Sequence, residues 1–577
     1  MRKSISKCKL ITFGLGAVII IIIVIVLVWF FLIKAEKPFK GAIVTNGYGC
    51  SDIGMSIFEK GGSVADVAIA TLFCEGVSLP QSMGLGGGFL MTIYERDTGT
   101  VKYLNARETA PLNSNETMFN GDSNLSQKGG LAVAVPGELK GYWYLYQQYG
   151  SLPWSDLIQP TIDICKNGIY VTAFLAKTFA NARDQLYADL VLRESFIDPD
   201  TNETYKEGQY VKRLRFAKTL EIIAVEQANA LYSKNGSLIG DFVKDIQDHG
   251  GIIQENDLLE YEPIWEEPVK VEFNDGHILY TASLPGSGGV LAFILNILDG
   301  FLDLEKLYNI ETFQRIVESF KFAYGHRTKL GDPNNNKSED IKNVMKNLTS
   351  KTYAEEIRNL IFDNETSLDP TYYGAEFQQM SDHGTAHISI IAPNGDAISV
   401  TSTINFIFGA GFASSSTGII LNNEMDDFSL PDIVSIFATR PSPSNSVQPG
   451  MRPLSSMVPT IILKDKDVVL VTGAAGGTKI TTVVASVILK HMWYGVDLQE
   501  AVTEKRLHHQ LIPMNIEYEE GFNLDYPDLV TNLSTIHNST YTPTANGFSA
   551  LTAITTKEDT IKGVFDIRRG GYISYLH

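Results

Sequence analysis

Three stretches of this 577-residue sequence carry groups suited to chemistry. At 473–477 the run Gly-Ala-Ala-Gly-Gly follows a β-type stretch, Asp467 to Thr472, and precedes a helical pattern from Thr478 to His491. Backbone N–H groups at such a turn suit an anion or a developing oxyanion. A nucleotide loop does not fit, because Gly473 and Lys479 do not make G-x-x-x-x-G-K and G-x-G-x-x-G is absent. The plainer reading is a tight turn that needs glycine for its backbone. The second stretch is acidic: Asn422-Asn423-Glu424-Met425-Asp426-Asp427 follows a strand-like Gly418 to Leu421. It suits a cation or an ammonium group, or is a solvated loop; EF-hand spacing is missing. The third is Arg107, in Asn105-Ala106-Arg107-Glu108-Thr109-Ala110-Pro111 just after a strand. A lone arginine is usually a surface charge, but its planar fork is also the best match to a carboxylate.

Other candidates are weaker. His383 and His387 have zinc spacing for a helix. The β-branched run around them argues for a strand, where positions four apart lie about 13 Å from each other. His508 and His509 fall in a helical-looking stretch and read as structural. No G-x-S-x-G is present, so a serine-hydrolase elbow is unsupported.

These groups need elements to place them. His387 to Ala392 and Ala397 to Ser402 are β-type runs around Pro393-Asn394-Gly395-Asp396, a strong hairpin signal. With Asn394-Gly395 as a two-residue loop, position 385 faces 404 and 386 faces 403; a shift of one residue sets Thr403 opposite Thr385. Either register returns Thr403 to the neighbourhood of Thr385. Upstream, Ser51 to Lys60 reads as a helix stopped at Gly61-Gly62, Asp66 to Cys74 as an apolar helix, Met83 to Phe89 as a turn and Leu90 to Tyr94 as a strand. Phe313, Ile316, Val317, Phe320 and Tyr324 form one helical face, whereas 331–383 reads as polar and irregular. Mixed helices and strands make the class α/β or α+β.

The formal charge of −19 argues against nucleic acid as a partner. The first 40 residues nevertheless carry seven bases and one acid. Residues 10–33 are uncharged and, at ~1.5 Å per residue, span about 36 Å, enough to cross a hydrocarbon core. The run is too long and ends too bulkily for a cleaved signal peptide. The expectation is a cytoplasmic tail at 1–9, a signal anchor at 10–33 and a lumenal or extracellular ectodomain beyond it. Sequons at Asn115, Asn124, Asn202, Asn235, Asn336, Asn347, Asn364, Asn532 and Asn538, all past the span, fit that topology. Of the cysteines, Cys8 falls in the tail, Cys50 and Cys74 are the expected disulfide, and Cys165 is left over.

Taken together and in order, ten motifs resemble the gamma-glutamyltransferases (glutathione hydrolases). They are GGSVADVAIA (61–70), GLGGGFLM (84–91), LNARETAP (104–111), AVPGELKG (134–141), ESFKFAYGHRTKLGDP (318–333), HGTAHISI (383–390), STIN (402–405), NNEMDDF (422–428), PLSSMVPT (453–460) and GAAGG (473–477). The anchor is similar to that of animal cell-surface members. The resemblance implies an α+β fold, the four-layer αββα sandwich of N-terminal-nucleophile hydrolases. It implies self-scission between Gly384 and Thr385, giving a heterodimer of a large subunit, with ectodomain part 34–384, and a small catalytic subunit, 385–577. Thr385 would be the nucleophile, oriented by Thr403, with Gly476 and Gly477 as the oxyanion hole. Arg107, Ser455 and Ser456 would take the α-carboxylate of a gamma-glutamyl group, and Asn405, Glu424 and Asp427 its α-ammonium. Donors would be glutathione and its conjugates, acceptors water, amino acids or dipeptides, with no metal or organic cofactor. The implied location is the cell membrane, single-pass type II, with the ectodomain outside. The chain departs from the family in His383, two residues before Thr385, and in lacking cysteines for a second large-subunit disulfide. Competing readings are an inactive surface glycoprotein that keeps the fold, and an amidohydrolase of another acyl group. Intact Thr385, Thr403, Arg107 and Asp427 argue against the first, and the paired charges of Arg107 with Glu424 and Asp427 against the second.

Overall fold

The computed structural model describes residues 40–377, 384–431, 440–544, 547–558 and 560–576. The expected tail at 1–9 and anchor at 10–33 lie outside the described residues, as does His383. Among the described residues no helix is long and apolar enough to cross a membrane.

Thirteen strands among the described residues form two large antiparallel sheets. In chain order they are β1 (Gly41–Thr45), β2 (Gly88–Glu95), β3 (Thr100–Ala106), β4 (Ile264–Glu266), β5 (Val269–Glu272), β6 (His277–Thr281), β7 (Ala386–Ile391), β8 (Ala397–Thr403), β9 (Thr460–Lys464), β10 (Asp467–Ala475), β11 (Ala550–Lys557), β12 (Thr560–Phe565) and β13 (Tyr572–Leu576). The first sheet runs β13-β1-β7-β8-β2-β3-β4 and the second β12-β11-β10-β9-β6-β5. Strands from either side of residue 384 alternate in the first sheet, so the two segments cannot separate without tearing its hydrogen-bond ladders.

Every residue of β7 and β8 is buried, because helices cover one face and the second sheet covers the other. Ala386, Ile388 and Ile390 point into the helix-side core with Val67, Phe73 and Leu139. The alternate residues, His387 and Ser389, face the second sheet, where Ser389 donates to Thr552 O. This period-two split is what a doubly covered strand requires. Helices α1 (Cys50–Glu59), α2 (Val64–Ser78) and α3 (Glu138–Tyr149) pack on the first sheet. Helices α4 (Gly288–Leu298), α5 (Ile310–Arg327) and α6 (Lys479–Ile488) pack on the second. The result is the expected αββα order. Ser63 starts α2 with a capping box shared with Asp66, which explains why this wholly buried helix begins there.

Several expectations are corrected. The hairpin loop has three residues, Pro393-Asn394-Gly395, not two: Ala392 N–H donates to Asp396 O, Gly395 N–H donates to Ala392 O, and Gly395 takes φ 88°. Proline opens a type I turn here and glycine supplies the left-handed residue that returns the strand. The register is therefore Ala386 to Ser402, which sets 385 against 403. The stretch read as irregular holds two helices, Ser338–Leu348 and Lys351–Arg358, whose polar faces hid a narrow apolar stripe. Gly418 to Leu421 makes only a single bridge, Ile420 to Ala413. His508 closes a short strand rather than sitting in a helix. Strand β10 runs on to Ala475, so the turn proper is Gly476-Gly477.

Cys50 and Cys74 form the expected disulfide, joining α1 to α2, and Cys165 is a buried free thiol. All nine sequon asparagines are exposed. The paired change Cys50→Ala with Cys74→Ala opens a loop of 24 residues. It should lower unfolding stability by about 3 kcal/mol, measured in denaturant.

Candidate active site

The hairpin register decides the centre of the site. Thr385 Oγ1 donates to Thr403 Oγ1 at 3.3 Å, and Asn405 N–H donates to the same oxygen at 2.8 Å. Thr385 has φ 88°, a strained value for a β-branched residue, directly after Gly384 at φ 129°. The Met83–Phe89 turn packs beneath. A side chain at Gly87 would come within 1.9 Å of Thr403 O, and Ile404 N–H donates to Ser82 O. The glycines of this motif thus let two backbones meet, a role that spacing alone did not reveal.

The expected oxyanion turn emerges at the same end of the sandwich. Ser399 Oγ donates to Thr472 O at 2.9 Å, while one residue further Gly473 leaves only room for the His387 ring. The same direction leads along β8 to Thr403 and along β10 to Gly476-Gly477. The turn is held from outside: Ser549 Oγ donates to Gly476 O at 3.1 Å, Tyr324 O–H to Thr478 O, and Thr478 Oγ1 to Gln510 Oε1 at 2.7 Å. His508 Nε2 lies 3.0 Å from the same Gln510 oxygen. Burial pulls the His387 imidazole down to about 3 and His508 to about 4, so both are neutral. His387 is bonded to Thr401 on the neighbouring strand rather than to any metal-type partner.

The polar cluster lies one step from Asn405. Its Nδ2 donates to Asn423 O at 3.1 Å, next to the 3₁₀ turn Glu424–Asp427. Asn405 Oδ1 is buried with no hydrogen-bond partner among the described residues. Arg107 follows β3 and is 0% exposed. Its Nη1 donates to Glu424, its Nη2 to Asp427 Oδ2 at 2.5 Å and its Nε to Pro453 O at 3.2 Å. The expected carboxylate and ammonium groups are therefore paired with each other. Burial opposes the guanidinium charge, but Glu424, Asp427 and Glu108 together hold it above its ordinary value. Burial also pushes the Glu108 carboxyl up to about 7, against the pull of Arg107. Ser455 and Ser456 are buried beside Pro453 on the loop ahead of β9.

Two residues of this cluster escaped the sequence. Arg452 donates to Arg107 O, and Arg327 Nη2 donates to Ser456 Oγ at 3.1 Å. Both lie inside quoted motifs or beside them, yet nothing in their spacing distinguishes a buried arginine from an exposed one.

A family model described as gamma-glutamyltranspeptidase matches residues 50–576. The chain belongs to the gamma-glutamyltranspeptidase family. Its reaction class is the cleavage and transfer of gamma-glutamyl groups. Scoloptoxin SSD14 of Scolopendra dehaani is 40% identical over 540 residues, covering 92% of each chain. Glutathione hydrolase 2 of Arabidopsis thaliana is 36% identical, covering 93% of this chain and 94% of its own. The crystal structure of cephalosporin acylase from Bacillus halodurans matches with TM-score 0.79 at 22% identity, covering 93% of this chain and 96% of that one; that likeness is one of fold alone.

In this family member Arg107 also supports stability. Arg107→Met removes the cation bonded to two buried carboxylates, Glu424 and Asp427. Denaturant unfolding should show a loss of about 3–5 kcal/mol.

Proposed function

We propose that Thr385 is the nucleophile of gamma-glutamyl transfer and is unmasked by scission of the Gly384–Thr385 bond. The observation that carries this reading is the Thr385–Thr403 hydroxyl pair at 3.3 Å, on a strained backbone that opens a strand. In the continuous chain Thr385 Oγ attacks the Gly384 carbonyl, the C–N bond breaks, and water hydrolyses the resulting ester. The new α-amine lies on the same residue as Oγ, and an ordinary α-amino pKa of about 7.7–8.0 leaves part of it neutral. It takes the Oγ proton, and the oxygen attacks the gamma-carbonyl of the donor. The amide C–N bond breaks, the protonated amine returns its proton to the leaving amine, and an ester of Thr385 remains. Water or an acceptor amine then takes the gamma-glutamyl group. N–H groups at Gly476 and Gly477 stabilise the oxyanion.

Specificity follows from the paired charges. A gamma-glutamyl group brings a carboxylate and an ammonium. Its carboxylate joins Arg107, Ser455 and Ser456, while its ammonium joins Glu424, Asp427 and the unpartnered Asn405 Oδ1. The exchange leaves every buried charge compensated, whereas an acyl group lacking either charge leaves one stranded. Glutathione and its conjugates are the donors this reading names, with amino acids or dipeptides as acceptors. The uncharged run at 10–33 and nine exposed sequons support a glycosylated ectodomain held outside the cell by a type II anchor.

The decisive experiment is a denaturing gel of deglycosylated protein with N-terminal sequencing. Wild type should give two fragments, the smaller beginning Thr-Ala-His-Ile, while Thr385→Ala stays whole and lacks turnover. A folded wild type that remains one chain sinks the proposal. Arg107→Ala should cut kcat/KM for a gamma-glutamyl amide by at least ~100-fold, the scale of a lost charge-assisted contact, and a neutral acyl amide far less.

A further inference from the structure

One buried acid and one arginine beside Thr385 have no part in the scheme above. Arg569 lies in the turn between β12 and β13, and its Nη1 donates to the carbonyl oxygen of Thr385. Phe174 supports the guanidinium, its ring centre 5.1 Å away. The turn is fastened to the start of the first sheet: Asn46 Nδ2 donates to Gly570 O at 3.1 Å, and Thr45 pairs with Tyr572. Glu75, on α2 next to the disulfide, is 0% exposed. Its Oε1 accepts from Gly47 N–H at 2.7 Å, the Asn46 N–H and the Thr45 hydroxyl also face the carboxyl, and its Oε2 makes no hydrogen bond of ordinary geometry among the described residues. Glu75 and Asp566 are the acids whose charge reaches Arg569, although neither lies within ion-pair distance of it among the described residues. Asp566 is already engaged by Arg506 and Arg568. From α3, the Tyr142 hydroxyl is turned to Glu138 and feels the Glu75 charge only from a distance.

Within one residue the nitrogen and the carbonyl oxygen are roughly 3 Å apart, so the guanidinium nitrogen on the Thr385 carbonyl sits within roughly 6 Å of that residue's nitrogen. A cation at that range disfavours a second positive charge. We infer that Arg569 acts as a positioning residue that fixes the Thr385 backbone and, after scission, keeps the new α-amine in its neutral, basic form, while Glu75 sets how much of the arginine's charge the amine feels. Burial pushes the Glu75 carboxyl up to about 7 against the pull of Arg569, so Glu75 changes charge in the working range. Burial pulls Arg569 down to about 10, which leaves it cationic there. With Glu75 ionised, part of the Arg569 field is cancelled and the amine holds its proton more tightly. With Glu75 neutral, the full field acts and the amine stays free.

This inference rests on Thr385 being the nucleophile. The test is the pH profile of kcat/KM for a chromogenic gamma-glutamyl anilide, on chains first shown by gel to be cleaved. Losing the Arg569 charge raises the amine pKa, so Arg569→Gln should move the acid limb up by about 0.5–1 pH unit, the effect of a unit charge at roughly 6 Å in a watery medium. Glu75→Gln leaves the cation uncompensated and should move the limb down. Arg569→Lys should stay within ~0.2 units of wild type, because the charge remains. Opposite shifts are not what a purely structural role produces. Cleaved variants whose limbs coincide with wild type, or move the same way, overturn the inference while leaving the nucleophile standing. If Arg569→Gln stays uncleaved, Glu75→Gln decides alone, and an unmoved limb overturns the idea. A wild type with no fragment beginning at Thr385 overturns the nucleophile reading instead.

Discussion

The register of one hairpin carries the site. Pairing Ala386 with Ser402 puts Thr385 opposite Thr403, on the face of β7 and β8 that looks toward the second sheet. A one-residue slip would turn every side chain of the strand to the other face. Ile388 and Ile390 would then meet the second sheet and His387 the apolar core beneath α2. The hydrophobic pattern therefore fixes the meeting of Thr385 and Thr403, and the three-residue Pro-Asn-Gly loop is the local device that agrees with it.

Around that hairpin the molecule buries an unusual amount of charge. Arg107, Glu108, Glu75 and Glu138 are all fully enclosed. Burial pushes Glu138 up to about 8, and it is bonded to Tyr142 and Ser402 beneath the hairpin. Isolated buried ions cost too much to persist, so each must be paired or neutralised. Arg107 is paired and Glu138 is neutralised. Such groups are expensive to hold and specific in what can replace their partners.

Interleaving explains how scission can be compatible with a stable product. β1 lies between β13 and β7, and β8 lies beside β2, so ladders from both segments alternate across the cut. Cutting before Thr385 removes one covalent link at the start of an interior strand while the core layers and both sheets keep their packing. The Cys50–Cys74 bridge lies within the first segment and takes no part in joining the two.

Much of this was legible in the amino-acid sequence, because the relevant signals are local. The β-type runs and Asn-Gly revealed the hairpin, the apolar run of α2 was visible from Asp66 to Cys74, and motif order pointed to the family. The helices at 338–358 were hidden because amphipathic surface helices carry few apolar residues, and His508 was misread because two residues cannot display a period. Which side chains meet across the sheets was not legible. That Arg107 closes on Glu424 and Asp427, that Arg327 holds Ser456 and that Arg569 reaches Thr385 depend on segments more than one hundred residues apart. By itself the sequence determined most of the elements around the site, the chemistry available and the family. Only the stacking of two sheets decided the partners across the layers and the burial, because charge pairing and desolvation are set by neighbours in space rather than along the chain.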